Sequence, residues 1–119
     1  MTQFAENLKD VFAPFGAVSV RRMFGGHGVF FDGLMIALVA DDVLYLKVDE
    51  ASVGTFIDRG SAPFVYEKRG RAMTMSYYEA PASMLDDPEV AKAWAALAFA
   101  AALRAQRSRA AAKAKRKRA

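Results

Sequence analysis

Apolar residues recur along this chain with two spacings, one typical of helices and one typical of strands. Near the start they recur every three or four residues, at Phe4, Leu8, Val11, Phe12 and Phe15. This spacing predicts a first helix with one apolar face. Pro14 and Gly16 are expected to end that helix at about Phe15.

The pattern then changes to one that predicts an antiparallel meander of three or four strands. Apolar, extended segments cover residues 17–24, 29–32, 34–40 and 43–48, and turns rich in glycine or aspartate separate them. The segment 34–40 is apolar at every position. It is therefore expected to be a central strand with both of its faces covered.

The second half predicts a short helix, a second hairpin and a long helix. The short helix begins at Asp49 or Ser52 and ends at about Arg59, and the hairpin strands cover 64–68 and 71–78. Asp87 and Pro88 predict the start of the last helix, which is expected to end at about Arg109. This order predicts an α+β fold of two layers, in which the first and last helices cover one face of an antiparallel sheet.

Length and composition narrow the class of protein. A chain of 119 residues is expected to form one folded domain, and the absence of cysteine excludes disulfides and thiol catalysis and fits a reducing cytoplasm. We find no signal-peptide pattern at the N-terminus and no apolar stretch long enough to span a bilayer. The sequence therefore predicts a cytoplasmic protein without membrane contact.

The net charge of +4 is divided unevenly along the chain. Residues 1–103 hold nine basic and thirteen acidic residues, a net of −4, and form the predicted domain. Residues 104–119 form a predicted basic tail without acids, whose cations are Arg104, Arg107, Arg109, Lys113, Lys115, Arg116, Lys117 and Arg118. If all eight neutralised DNA phosphates, log K would fall against log salt with a slope of about −7, without sequence specificity.

The tail is explained equally well as a solvated, disordered end of the chain and as a segment that binds nucleic acid. The nucleic-acid interpretation predicts that removing residues 104–119 abolishes salt-sensitive DNA retention. The same removal is expected to leave thermal stability nearly unchanged.

Few residues outside the tail are candidates for catalysis or ligand binding. His27 lies in a predicted glycine turn, and a structural or solvent-exposed role for it is favoured over a catalytic one because no spacing supplies an orienting carboxylate. A strand follows Gly25-Gly26-His27-Gly28 instead of a helix, which excludes a phosphate-binding loop. Arg22 shares a strand face with apolar residues and needs a carboxylate or a ligand there. We predict no catalytic residue, metal site or cofactor.

Tyrosines concentrate on the predicted second hairpin. Packing within the domain is one explanation for these residues, which are Tyr66, Tyr77 and Tyr78. The other is that an exposed subset forms a surface for a protein partner, because tyrosine is enriched at protein interfaces.

Several motifs in combination resemble the N-terminal domain of the TfoX/Sxy family of bacterial competence regulators, here as a stand-alone member. The motifs are Arg22-Met23-Phe24-Gly25-Gly26, Leu44-Tyr45-Leu46-Lys47-Val48-Asp49, Pro63-Phe64 with Tyr66, and Met75-Ser76-Tyr77-Tyr78. The resemblance covers about residues 4–103. It implies an α+β fold similar to secretion chaperones and a role in regulating natural competence beside the cyclic-AMP receptor protein, with no catalytic residues.

The resulting hypothesis is a non-enzymatic regulatory module of the bacterial cytoplasm. It binds a protein partner, such as the transcription machinery, through the sheet or the tyrosine-bearing hairpin, and binds DNA non-specifically through the tail. The family-motif residues proposed for the partner surface are Arg22, Phe24, Gly25, Gly26, Tyr66, Tyr77 and Tyr78. Two alternatives stay open: a ligand-binding protein or enzyme that uses Arg22 and His27, and a homodimeric, chaperone-like module without a nucleic-acid role.

Overall fold

The computed structural model describes residues 3–23 and 25–118, so Phe24 of the first motif lies outside the described residues. The helices are α1 (Gln3–Phe12), α2 (Val53–Asp58) and α3 (Pro88–Arg118). The strands are β1 (Ser19–Met23), β2 (Gly26–Phe31), β3 (Leu34–Ala40), β4 (Val43–Lys47), β5 (Pro63–Lys68) and β6 (Arg71–Glu79). A short 3₁₀ helix, Ala82–Leu85, precedes α3.

The described strands form one antiparallel sheet in the order β1-β2-β3-β4-β6-β5. The first four strands are the predicted meander, and β3 lies inside the sheet as predicted. After α2 the chain returns as the β5–β6 hairpin, which joins the sheet through β6 beside β4. Lys47 of β4 is thereby paired with Tyr77 of β6.

All three helices contribute to a core on one face of the sheet, which confirms the two-layer α+β prediction. Leu8 and Phe12 of α1 and Phe56 of α2 are buried against this face. The buried residues of α3 are small, at Ala91, Ala95, Ala98 and Ala102. Alanine allows the helix axis to approach the strands closely, and it favours the helix itself.

A second cluster lies on the opposite face of the sheet, where Ala102, Ala105 and Arg109 of α3 line a cavity together with Met35 and Tyr77. This cluster consists of strand residues only, namely Leu38, Phe64 and Tyr77 with Met35, Ala40, Tyr45, Tyr66 and Met75 packed around them. We call these eight residues the open face. The prediction that β3 is a central strand with both faces covered is confirmed, because Ile36 and Val39 are buried on the helix side and Leu38 is fully buried on the other. Leu38 packs there in one cluster with Phe64 and Tyr77.

The starts of α2 and α3 agree with the prediction, and the ends of α1 and α3 do not. The α1 helix ends at Phe12, three residues before the predicted Phe15, and Ser52 directly precedes α2. Asp87 caps α3 through an Oδ1 atom that accepts the Glu89 amide at 3.0 Å. The α3 helix continues nine residues past its predicted end. Alanine at positions 110–112 and 114 has a helix propensity that outweighs the mutual repulsion of the cations.

Candidate functional site

The glycine turn of the first motif has a structural explanation. Gly25 has φ +74°, which an L-residue adopts at a cost. A Cβ atom on Gly26 would lie 2.0 Å from the carbonyl oxygen of Val39, so only glycine allows β2 to approach β3 there. The two glycines are required by the backbone of the sheet edge, whatever ligand the protein binds.

Arg22 and His27 are neighbours across β1 and β2 but differ in exposure to solvent. Their Cα atoms are paired, Arg22 is exposed, and His27 is buried with 8% of its surface exposed. The Nε2 atom of His27 has no hydrogen-bond partner among the described residues. Arg22 takes part in none of the ion pairs that the described residues form.

The three candidate tyrosines divide between the two faces of the sheet. Tyr78 packs in the helix-side core, with its ring centroid 6.1 Å from that of Phe56. Tyr66 and Tyr77 belong to the open face. Tyr45, which the sequence analysis did not single out, lies beside them with its ring centroid 5.0 Å from that of Phe64. A strand pairing that was not predicted, β4 with β6, brings Tyr45 there.

The end of β4 is tied to α3 by an ion pair. The Asp49 carboxylate accepts two hydrogen bonds from Arg104, one from Nε and one from Nη2 at 2.9 Å. Asp49 Oδ1 also accepts the backbone N–H groups of Ala51 and Ser52, both at 3.1 Å. The Arg104 hydrogen bond is the largest cause that lowers the pKa of Asp49 to about 2. Arg104, predicted as a tail residue, is thus fixed to the domain.

Lys47 and Tyr77 form a second polar group beside this ion pair. The Lys47 ammonium donates a hydrogen bond to Ser76 Oγ at 2.6 Å and lies 5.2 Å from the centroid of the Tyr77 ring. Burial, and then the nearby Arg109 guanidinium, lower the pKa of Lys47. Burial raises the pKa of Tyr77 to about 12, so its hydroxyl stays protonated at neutral pH.

This polar group lies in a small cavity that the sequence analysis missed. The cavity has a volume of about 100 Å³ and is lined by Leu34, Met35, Lys47, Tyr77, Ala102, Ala105 and Arg109. Lys47 and Tyr77 come from two motifs noted separately in the sequence. Their proximity could have been found only by predicting that β4 pairs with β6.

The C-terminal part of α3 extends beyond the sheet as an exposed helix. We call residues 106–118 the basic segment. The side chains of 106–116 are exposed, and a helix of this length is about 20 Å long. The segment has no acidic residue and contains Arg107, Arg109, Lys113, Lys115, Arg116, Lys117 and Arg118. Those of its cations whose side chains are described form no ion pair.

The described part of the chain holds neither a metal-binding cluster nor a membrane-spanning helix. Within it, no three histidine, aspartate or glutamate side chains are grouped so that they could hold a metal ion. None of the described helices combines the length and the apolar composition that crossing a bilayer requires.

Comparison with known proteins identifies the family. The model of the TfoX N-terminal domain matches residues 10–102, which is most of the folded chain. The protein belongs to the TfoX N-terminal domain family. It is also similar to protein Sxy of Escherichia coli (strain K12), with 29% identity over 76 residues, 64% of this chain. These residues span 36% of the length of Sxy.

Some residues of the candidate site lie inside the TfoX match, and others lie outside it. Lys47, Asp49 and Tyr77 lie within the matched residues 10–102. Arg104 and Arg109 lie just beyond them, on the part of α3 that continues into the basic segment. The ion pair and the small cavity therefore join the TfoX domain to residues outside the family match.

Proposed function

We propose that this TfoX-family protein is a cytoplasmic regulatory module that binds the nucleic-acid backbone through its basic segment and a protein partner through its open face. The TfoX family supports a role in competence regulation. The observation that carries the nucleic-acid part is the exposure of the basic segment as a continuous helix without acids. Arg22 is exposed and His27 is buried, so the proposal includes no catalytic step by that pair.

The structure limits how many cations of the tail are available to bind nucleic acid. Arg104 is engaged by Asp49, which leaves the seven cations of the basic segment. If all seven contact duplex phosphates, the slope of log K against log salt is about −6. Phosphate contacts carry no direct sequence information, so we expect similar affinity for unrelated duplexes. The acidic domain, with its net charge of −4, is expected to face away from the DNA.

The test replaces the five cations Lys113, Lys115, Arg116, Lys117 and Arg118 by glutamine in the full chain. Arg104 is kept, because its loss would also break the ion pair with Asp49. Binding to a fluorescent duplex is measured by anisotropy between 50 and 200 mM salt, a range chosen on the order of physiological ionic strength. We expect the slope of log K against log salt to become shallower, from about −6 to about −2.

The matched control replaces exposed cations of the domain, Lys9 and Lys92, by glutamine. This variant should keep the slope of the unmodified protein. Equal duplex affinity of the five-glutamine variant and the unmodified protein would show that the basic segment does not bind DNA.

The partner part of the proposal is supported by the composition of the open face. Four aromatic and two methionine side chains lie on this face. Aromatic and methionine residues are enriched in the cores of protein interfaces. The occupant we propose is a protein with an apolar patch of matching size, because the open face itself carries few charges.

A photo-crosslinking residue at Tyr66 tests this assignment in bacterial cytoplasm. We expect a discrete adduct that a second change, Met75→Glu, removes by placing a charge on the same face. The control places the crosslinker at Ala96, an exposed position of α3. Identical adducts from both positions, or an adduct insensitive to Met75→Glu, would contradict a partner surface on the open face.

A further inference from the structure

The small cavity where β3 begins and β4 ends brings together two cations from distant parts of the chain. Lys47 comes from β4, and Arg109 comes from α3. The floor and walls are otherwise Leu34, Met35, Ala102 and Ala105, with the ring and hydroxyl of Tyr77. Two like charges at one cavity repel each other, so an arrangement of this kind is stabilised by a bound anion.

Among the described residues, no carboxylate lines the cavity beside this pair of cations. Asp49 is the nearby acid that attracts Lys47, but its carboxylate already binds Arg104 and two backbone amides. Burial and then the Arg109 charge lower the pKa of Lys47, and these effects outweigh the attraction of Asp49, which raises it.

The donors at the cavity suit an oxyanion with several acceptor oxygens. The ammonium of Lys47 uses one hydrogen bond on Ser76 Oγ, which leaves two N–H donors. The Arg109 guanidinium presents a planar fork that matches phosphate oxygens. The Tyr77 hydroxyl contacts the Met35 carbonyl at a long 3.4 Å and can turn toward a better acceptor.

We propose that Lys47, Arg109 and Tyr77 form a binding pocket for a phosphate group. The volume of about 100 Å³ admits the phosphate group itself, so the rest of a phosphate-bearing ligand would extend into solvent. The phosphate could belong to a small ester or to a nucleic-acid backbone, and the experiment below distinguishes these sources. The pocket shares Arg109 with the basic segment, whereas Lys47 and Tyr77 lie outside it, so Lys47→Gln tests the pocket without altering a cation of the segment.

The first experiment titrates the full-length protein with inorganic phosphate and follows its amide signals by NMR. Sodium chloride of equal ionic strength serves as the reference. We expect saturable changes at Met35, Lys47, Tyr77 and Ala105, and none in α1. Lys47→Gln and Arg109→Gln should each weaken phosphate binding about tenfold, and Tyr77→Phe about fivefold.

The matched control is Lys113→Gln, which removes a cation of the same helix that does not line the cavity. It should change phosphate affinity less than about twofold. Thermal unfolding of each variant confirms that it is folded, and Arg109→Gln alters an exposed residue in any case. Absence of saturable binding, or equal weakening by Lys113→Gln and Arg109→Gln, would overturn the pocket and indicate diffuse attraction to the helix.

The source of the phosphate is identified with Lys47→Gln and a duplex oligonucleotide at constant ionic strength. Weaker duplex binding would place a backbone phosphate in the pocket. Unchanged duplex binding, together with lost inorganic phosphate binding, would assign the pocket to a small phosphate ester. Either result supports the pocket. Loss of duplex binding in the five-glutamine variant tests the basic segment separately, since that variant keeps Lys47 and Arg109.

Discussion

The ion pair between Asp49 and Arg104 gives a quantitative prediction for the stability of the domain. Asp49→Asn keeps the shape of the side chain and an Oδ1 acceptor for the amides of Ala51 and Ser52. It removes the negative charge that Arg104 binds. We therefore expect the variant to fold, to lose the ion pair and to be less stable at neutral pH.

The magnitude follows from the pKa of Asp49, which falls from 3.8 to about 2 on folding. At about 1.4 kcal/mol for each tenfold change in proton affinity, this corresponds to at most about 2.4 kcal/mol. The Asp49 side chain keeps 20% of its surface exposed and its partner Arg104 keeps 42%. Screening by solvent reduces the expected loss to about 1 kcal/mol, or about 4 °C in Tm for a chain of this length.

The same pKa fixes how the effect depends on pH. A carboxyl group whose pKa is lowered by folding stabilises the native state above its unfolded pKa of 3.8. That contribution is lost as the pH falls through the folded value of about 2. The difference in unfolding free energy between the unmodified protein and Asp49→Asn should therefore be constant from neutral pH down to about 5. It should then decrease toward zero as the pH falls from 3.8 to about 2.

Urea unfolding at a series of pH values, followed by circular dichroism, measures this difference directly. Asp58→Asn is a matched control, because Asp58 is an exposed carboxylate that forms no ion pair among the described residues. Equal stability of Asp49→Asn and the unmodified protein at neutral pH would refute the reasoning. A difference that persists undiminished at pH 2 would also refute it, since its cause could not be the charge.

Two further predictions concern the backbone of the fold. Gly26→Ala places a Cβ atom 2.0 Å from the Val39 carbonyl oxygen and should destabilise the domain by about 3 kcal/mol, whereas Gly54→Ala, which meets open space in α2, should stabilise it by about 0.5–1 kcal/mol. Opposite signs in thermal unfolding are expected, and a neutral Gly26→Ala would contradict the close approach of β2 and β3. Asp87→Ala removes the acceptor for the Val90 and Glu89 amides and should cost about 1 kcal/mol, with unchanged stability contradicting the cap.

The ion pair between Arg104 and Asp49 affects the design of a truncation that removes the basic segment. Removing residues 104–119 was expected from the sequence to leave stability nearly unchanged. The structure shows that this cut also removes Arg104, the partner of Asp49. A truncation meant to isolate the basic segment must therefore end after Ala105, so that the ion pair is retained.

Sequence alone determined the elements whose causes are local. The three- and four-residue spacing specified α1, the glycine and aspartate turns separated the strands of the meander, and Asp87 with Pro88 marked the start of α3. These features depend on neighbouring residues within one turn or one hairpin, so they are visible without a tertiary structure. The two-layer arrangement followed from the order of these elements.

Only the tertiary structure decided which distant residues meet. Lys47 and Tyr77 become neighbours because β6, and not β5, pairs with β4, and Asp49 meets Arg104 across 55 positions. Where α3 packs likewise decides which sheet residues it contacts, including Met35 and Tyr77 at the small cavity. Long-range pairing reflects competition among many strand and helix partners for the same apolar surfaces, and that competition is settled by the packing of the whole domain.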